Sequence, residues 1–301
     1  MRQVILQWLT PPDTSLNYNV ACKVHQEGTS AWFFESSKFK EWELIGSLLW
    51  IHGIRTSLFL IFHCSAPDGL PVCVAGSGKS ILWFVISPLS STKMGTHIDQ
   101  STAIITHVIS LRDAGLAALA YYYFDFRTKE KRTHLGFVAS ILTQLSTYLG
   151  PSCDILFRLY STHEKGVQQP STSALMNSLK EVLEVVSLQP VYIIVDALDE
   201  CPNTSGWPTS RHVLLEILED LVDLHIPNLH ICVTSRLKAD IKDVLEPLGN
   251  CVVSLHDESG QQKDISDYVR NVVYSDRRMR KWRDEDKKFV MENISEKADG
   301  M

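Results

Sequence analysis

The run from Val191 to Val195 is five β-favouring residues without a polar break, bounded by Pro190 before it and Pro202 after it. Such a run fits a strand buried on both faces, as in the middle of a parallel sheet. At its end come three carboxylates, Asp196, Asp199 and Glu200. A carboxylate where a buried parallel strand ends lies on the edge at which α/β proteins bind ligands. Hard oxygen ligands at that place suit a Mg²⁺ carried in on a nucleotide phosphate. The plainer alternative is a core strand followed by an acidic loop, and the choice between the two turns on whether a phosphate-binding loop lies upstream.

The remaining chain alternates strands with helices. Strands are expected at Ser47–Gly53, Leu119–Phe126, Leu229–Arg236 and Cys251–Leu255. Helices are expected at Thr102–Leu111, His134–Leu149, Leu175–Val186, Arg211–Leu224 and Asp240–Leu245, each with apolar residues at helical spacing. Two more helices are read at Asp264–Val273 and Trp282–Ala298. This alternation predicts an α/β protein with a mostly parallel sheet. Residues 1–45 show no sustained apolar period and read as a lead-in, a short helix packed on the main domain rather than a peptide-binding element. The nucleotide-binding core is placed at 46–240, with the last strand and the start of a helical region at 241–301.

Composition removes several classes. A net charge of −6 argues against a general nucleic-acid binder. The seven cysteines are scattered and form no C-x-x-C pair, which fits a reducing compartment and neither a disulfide framework nor a zinc site. The most apolar stretch, Leu48 to Cys64, is broken by His52, Gly53 and Arg55 and falls short of a membrane span. A cytoplasmic protein without membrane partners is expected.

The upstream half-motif is Gly76-Ser-Gly-Lys-Ser80. A phosphate-binding loop follows G-x-x-x-x-G-K-S/T: backbone N–H groups wrap the phosphates, the lysine reaches the outer ones, and the hydroxyl binds Mg²⁺. Counted back from Gly78, the first glycine should stand at position 73, which is Cys73. If 56–75 is taken out, Gly53-Ile-Arg55 joins Gly76 and the pattern is complete directly after a strand. A second interruption, at 84–100, divides what would otherwise be one helix from Lys79 into Thr102. Both stretches are either family-specific insertions or translated non-coding sequence. In the resulting constellation, Gly53, Gly76, Ser77, Gly78 and Lys79 would hold phosphate, and Ser80 with Asp196 would hold Mg²⁺. Asp199 or Glu200 would orient an attacking water. Arg236 would contact the outer phosphate, unless it makes only a surface ion pair.

The segments Leu49-Trp-Ile-His-Gly53, Gly76-Ser-Gly-Lys-Ser80, Ala120-Tyr-Tyr-Tyr-Phe-Asp-Phe126, Val195-Asp-Ala-Leu-Asp-Glu-Cys201, Val233-Thr-Ser-Arg236 and Glu296-Lys-Ala-Asp-Gly-Met301 carry a resemblance. With them the chain resembles the NACHT domains of fungal STAND-class NTPases, the group that includes heterokaryon-incompatibility proteins and proteins with a nephrocystin-like N-terminal domain. The resemblance implies a P-loop NTPase fold with a five-stranded parallel sheet and a helical region after it. It implies ATP or GTP with Mg²⁺, and slow hydrolysis that times a conformational switch in signalling. It leaves self-association open as a partner relation, and it implies effector and sensor-repeat regions outside the part of the family pattern that this chain matches. The rival expectation is a fragment or interaction module that keeps the fold without the nucleotide.

Overall fold

The computed structural model describes residues 2–24, 30–53, 96–148, 150–204, 206, 208–249 and 251–255, with isolated positions between 267 and 291. Five parallel strands form one sheet: β1 (Ser47–His52), β2 (Ala118–Tyr123), β3 (Val191–Asp196), β4 (Leu229–Ser235) and β5 (Cys251–Ser254). Their order is β2-β3-β4-β1-β5. Every pairing is parallel, so each connection must cross over a face of the sheet and the helices fall on both sides.

Side chains alternate cleanly between the two faces, as the period of two demands. Leu48, Trp50, Ala120, Tyr122, Val191, Ile193, Val195, Ile231 and Val233 enter one core. That core is closed by α1 (Arg2–Leu9), α6 (His134–Leu145), α7 (Gly150–Thr162), α8 (Thr172–Val186), α9 (Ser210–Asp223) and α10 (Ala239–Leu248). Leu49, Ile51, Leu119, Tyr192, Ile194, Cys232 and Val253 enter the other core. It is covered by α3 (Ala31–Glu35), α4 (Ser37–Ile45) and α5 (Thr96–Asp113). All six residues of β3 are buried, as a central strand with both faces covered requires. The sheet and its helices on both faces make an α/β fold of the P-loop NTPase-like kind.

The lead-in differs from expectation. Instead of one short helix, the described residues between 2 and 45 form α1, α2 (Ser15–Val24), α3 and α4. They run from five to ten residues, too short for an apolar period to emerge from the sequence. Phe33, Phe39 and Trp42 are nonetheless fully packed, and α4 delivers the chain to β1 through Gly46. That glycine has φ +82°, and a Cβ on it would lie 2.8 Å from the Leu229 carbonyl oxygen.

Two other departures concern helices. The sequence reading assigns no element to α7, whose start carries turn-forming Gly150 and Pro151; proline is tolerated in a first helical turn, where its missing N–H costs nothing. Helix α5 begins at Thr96, inside the second expected interruption, and Gln100 is buried. The stretch 56–75, the half-motif at 76–80 and the two expected C-terminal helices lie outside the described residues, apart from isolated positions in the helices.

Candidate functional site

The carboxyl ends of the strands line up. His52 is level with Ser235 and Ser254, and Tyr123 with Asp196. Asp196 is therefore the last residue of a central strand, two strands away from Gly53, which comes directly after β1. Gly53 is itself buried and its N–H reaches the Ser235 carbonyl at 3.4 Å. Of the residues expected to bind phosphate, Gly76, Ser77, Gly78, Lys79 and Ser80 lie outside the described residues.

Asp196 is 3 % exposed. Its Oδ1 accepts a 2.7 Å hydrogen bond from the Thr234 hydroxyl. The same hydroxyl oxygen accepts the Ala197 N–H at 3.0 Å, so Thr234 ties the end of β4 to the turn that leaves β3. Burial pushes the Asp196 carboxyl up to about 6; bonds from Thr234 and Ser101 hold it down, and the charges of Glu200 and Asp199 add to the rise. A carboxylate in that condition gains from a neighbouring cation. Among the described residues no group of three or more His, Cys, Asp or Glu is placed to hold a metal. A Mg²⁺ that arrives on phosphate requires less, one or two carboxylates beside phosphate oxygens and water, and Asp196 fits that need.

The turn after β3 is strained. Ala197 has φ 56° and ψ 46°, the left-handed region, before a 3-10 turn at Leu198–Glu200. It aims the next two carboxylates sideways along the sheet edge. Asp199 Oδ1 accepts the Arg236 N–H at 3.0 Å, and its Oδ2 lies 3.1 Å from Arg236 Nε. The side chains are 7 % and 38 % exposed respectively. Asp199 and Arg236, expected to serve water and phosphate separately, are thus brought together as a clamp between β3 and β4. Glu200 Oε2 accepts the Phe126 N–H at 3.1 Å, joining the same turn to the loop after β2.

Three supporting side chains were not singled out by sequence. Arg211, 8 % exposed, donates to the carbonyls of Cys201 (2.9 Å) and Asp199 (2.7 Å) and to Asp240 Oδ2 (2.9 Å). It anchors the acidic turn to α9 and α10. Asp125, buried just past β2, is gripped through both oxygens by the Arg127 guanidinium at 3.0 Å. Trp50 donates its indole N–H to Ser235 Oγ at 2.9 Å, locking β1 to β4 where their ends meet the edge. The Thr234-Ser235 hydroxyl pair was visible in sequence; nothing distinguished Arg211 from a surface arginine.

The parallel sheet flanked by helices on both faces defines the class by its fold, P-loop NTPase-like α/β, and buried, hydrogen-bonded acidic groups lie along its carboxyl edge. The family model described as nephrocystin 3, N-terminal, matches residues 73–236, more than half of the chain. The chain belongs to that family. No curated protein matches it. Among the described residues no helix is long and apolar enough to cross a membrane.

Proposed function

We propose that this chain is the nucleotide-binding core of a switch NTPase of the NACHT type within the fungal STAND group, taking ATP or GTP with Mg²⁺. The observation that carries the reading is Asp196: a buried carboxylate at the end of β3, held by Thr234, with Gly53 directly after β1 on the same edge. In this reading Lys79 and the backbone of Gly76 to Gly78 neutralise and cradle phosphate. Ser80 and Asp196 would hold the Mg²⁺, which supplies charge neutralisation at the phosphates. Hydrolysis is slow at most. Arg236 can offer its terminal guanidinium nitrogens to an outer phosphate while its Nε stays on Asp199, and Asp199 and Glu200 hold the edge in shape while bonded to Arg236 and Phe126. Exchange of nucleotide then biases two arrangements of the core and the helical region after it, in self/non-self or stress signalling.

A second reading, an interaction module that no longer binds nucleotide, is favoured by the Asp199–Arg236 pair, since it occupies a carboxylate expected to orient an attacking water. Titration with a fluorescent ATP or GTP analogue separates the two. The chain itself, a form lacking 56–75 and 84–100, and Lys79→Ala in each are compared. Binding that Lys79→Ala abolishes supports the switch NTPase. Absence of binding in both parent forms supports the interaction module.

A further inference from the structure

Helix α5 lies on the sheet with an apolar face, Ala103, Ile104, Ile105 and Val108, all of them buried. Immediately before that face come Gln100, Ser101 and Thr102, three consecutive polar residues that are just as deeply enclosed, at 2 %, 0 % and 0 % exposed. Enclosing polar side chains costs a fold unless they find partners. The sheet beneath them supplies polar groups of its own. Asp196 and Thr234 follow Ile194 and Cys232 at strand spacing, so they share the sheet face that α5 covers. Tyr123 is on that face too, level with Asp196 on the neighbouring strand.

Ser101 donates a hydrogen bond to the Asp196 carboxylate, which Thr234 holds from β4 at 2.7 Å. A carboxylate has about four lone-pair sites, so two hydroxyls fix its plane and leave sites over for a cation. The hydroxyls of Thr102 and Tyr123 are near neighbours, and Tyr123 feels the charge of Asp196. Yet among the described residues neither hydroxyl makes a hydrogen bond, and nor does Gln100 Oε1. Buried polar atoms are nearly always paired, and all three of these are oxygens that can accept. We propose that Ser101 is a positioning residue for the metal carboxylate, and that Thr102 and Tyr123 are acceptors for the water ligands of a hydrated Mg²⁺ at Asp196. This rests on the nucleotide reading above. A Mg²⁺ dehydrates reluctantly and keeps several waters. Those waters turn their hydrogens away from the ion, and in an enclosed site the protein must provide the acceptors.

Ser101, Thr102, Tyr123 and Asp196 all remain when 56–75 and 84–100 are removed, so the test runs in whichever of the two forms nucleotide stabilises. Urea unfolding is measured in chelator, and then with ATP or GTP over a range of Mg²⁺ concentrations. Thr102→Val and Tyr123→Phe each delete an unpaired hydroxyl and keep the shape. In chelator both should be at least as stable as the parent. With nucleotide both should need about tenfold more Mg²⁺ to reach half of the stabilisation. Ser101→Ala should be less stable in chelator and should also need about tenfold more Mg²⁺; a merely structural role would lower its stability without moving the Mg²⁺ dependence. Should Ser101→Ala not fold, the other two variants decide. If neither form is stabilised by nucleotide with Mg²⁺, the nucleotide reading fails and this proposal fails with it. A stabilised parent whose variants reach half effect at the parent's Mg²⁺ concentration overturns this proposal alone. So does a loss of stability in chelator by both Thr102→Val and Tyr123→Phe, because the two hydroxyls would then be serving each other.

Discussion

Asp196→Asn is expected to change how stability depends on pH, and the burial of the carboxyl sets the size of the change. Its pKa stands at about 6 in the folded chain against 3.8 as a free side chain, chiefly because of desolvation. A group whose folded pKa is raised holds its proton more tightly when folded. Its stabilising contribution is complete below about pH 4 and is lost as pH rises through about 6. At about 1.4 kcal/mol per pH unit, the ionised carboxylate costs the ligand-free fold about 3 kcal/mol above that range. Asparagine is close to isosteric, keeps an oxygen for the Thr234 hydroxyl and does not ionise. Urea unfolding in chelator, stepped from pH 4 to pH 7.5, should therefore show the variant gaining on the wild type by about 3 kcal/mol across the window. Most of that gain should fall between pH 4 and 6. A stability difference between the two proteins that stays constant with pH would refute the reasoning, because it would mean that Asp196 does not titrate differently on folding.

Ala197→Gly should raise unfolding free energy by about 0.5–1 kcal/mol, since relief of the left-handed conformation exceeds the added chain entropy of glycine; thermal or urea unfolding at neutral pH reads it. Arg211→Met should lower stability by about 2–4 kcal/mol, because the Cys201 and Asp199 carbonyls and the Asp240 carboxylate all lose their donor. The same variant should speed hydrogen exchange at Arg236, whose amide is bonded to Asp199, while Ile193 stays protected.

How much of the fold is legible in sequence depends on how local the physical signal is. The apolar run at Val191–Val195 specifies a strand buried on both faces, and the structure has it at the sheet's interior with all six residues of β3 covered. Helices α6, α8 and α9 were legible because each carries three or more turns of one apolar stripe. The four helices of the lead-in were not, because none is long enough to show a stripe, and their burial depends on contacts with α7, α5, β1 and β5 that sequence does not display. The site divides in the same way. Asp196 was legible from its place at a strand end. The bond between Asp199 and Arg236 was not, since their positions are 37 apart in sequence and meet only because β3 and β4 are neighbours. Arg211 shows the limit most plainly: only the tertiary fold turns an arginine at a helix start into a buried brace.

The account's central claim is that the carboxyl edge of this sheet binds nucleotide through Lys79 and a Mg²⁺ held at Asp196. The most direct measurement is the shift in unfolding free energy on adding ATP or GTP with Mg²⁺, in the wild type, Lys79→Ala and Asp196→Asn. At ligand about one hundred times Kd the wild type should gain about 2.7 kcal/mol. That gain should vanish in chelator and in Lys79→Ala, and should be reduced in Asp196→Asn. No shift in the wild type with either nucleotide, or an equal shift in Lys79→Ala, would contradict the account.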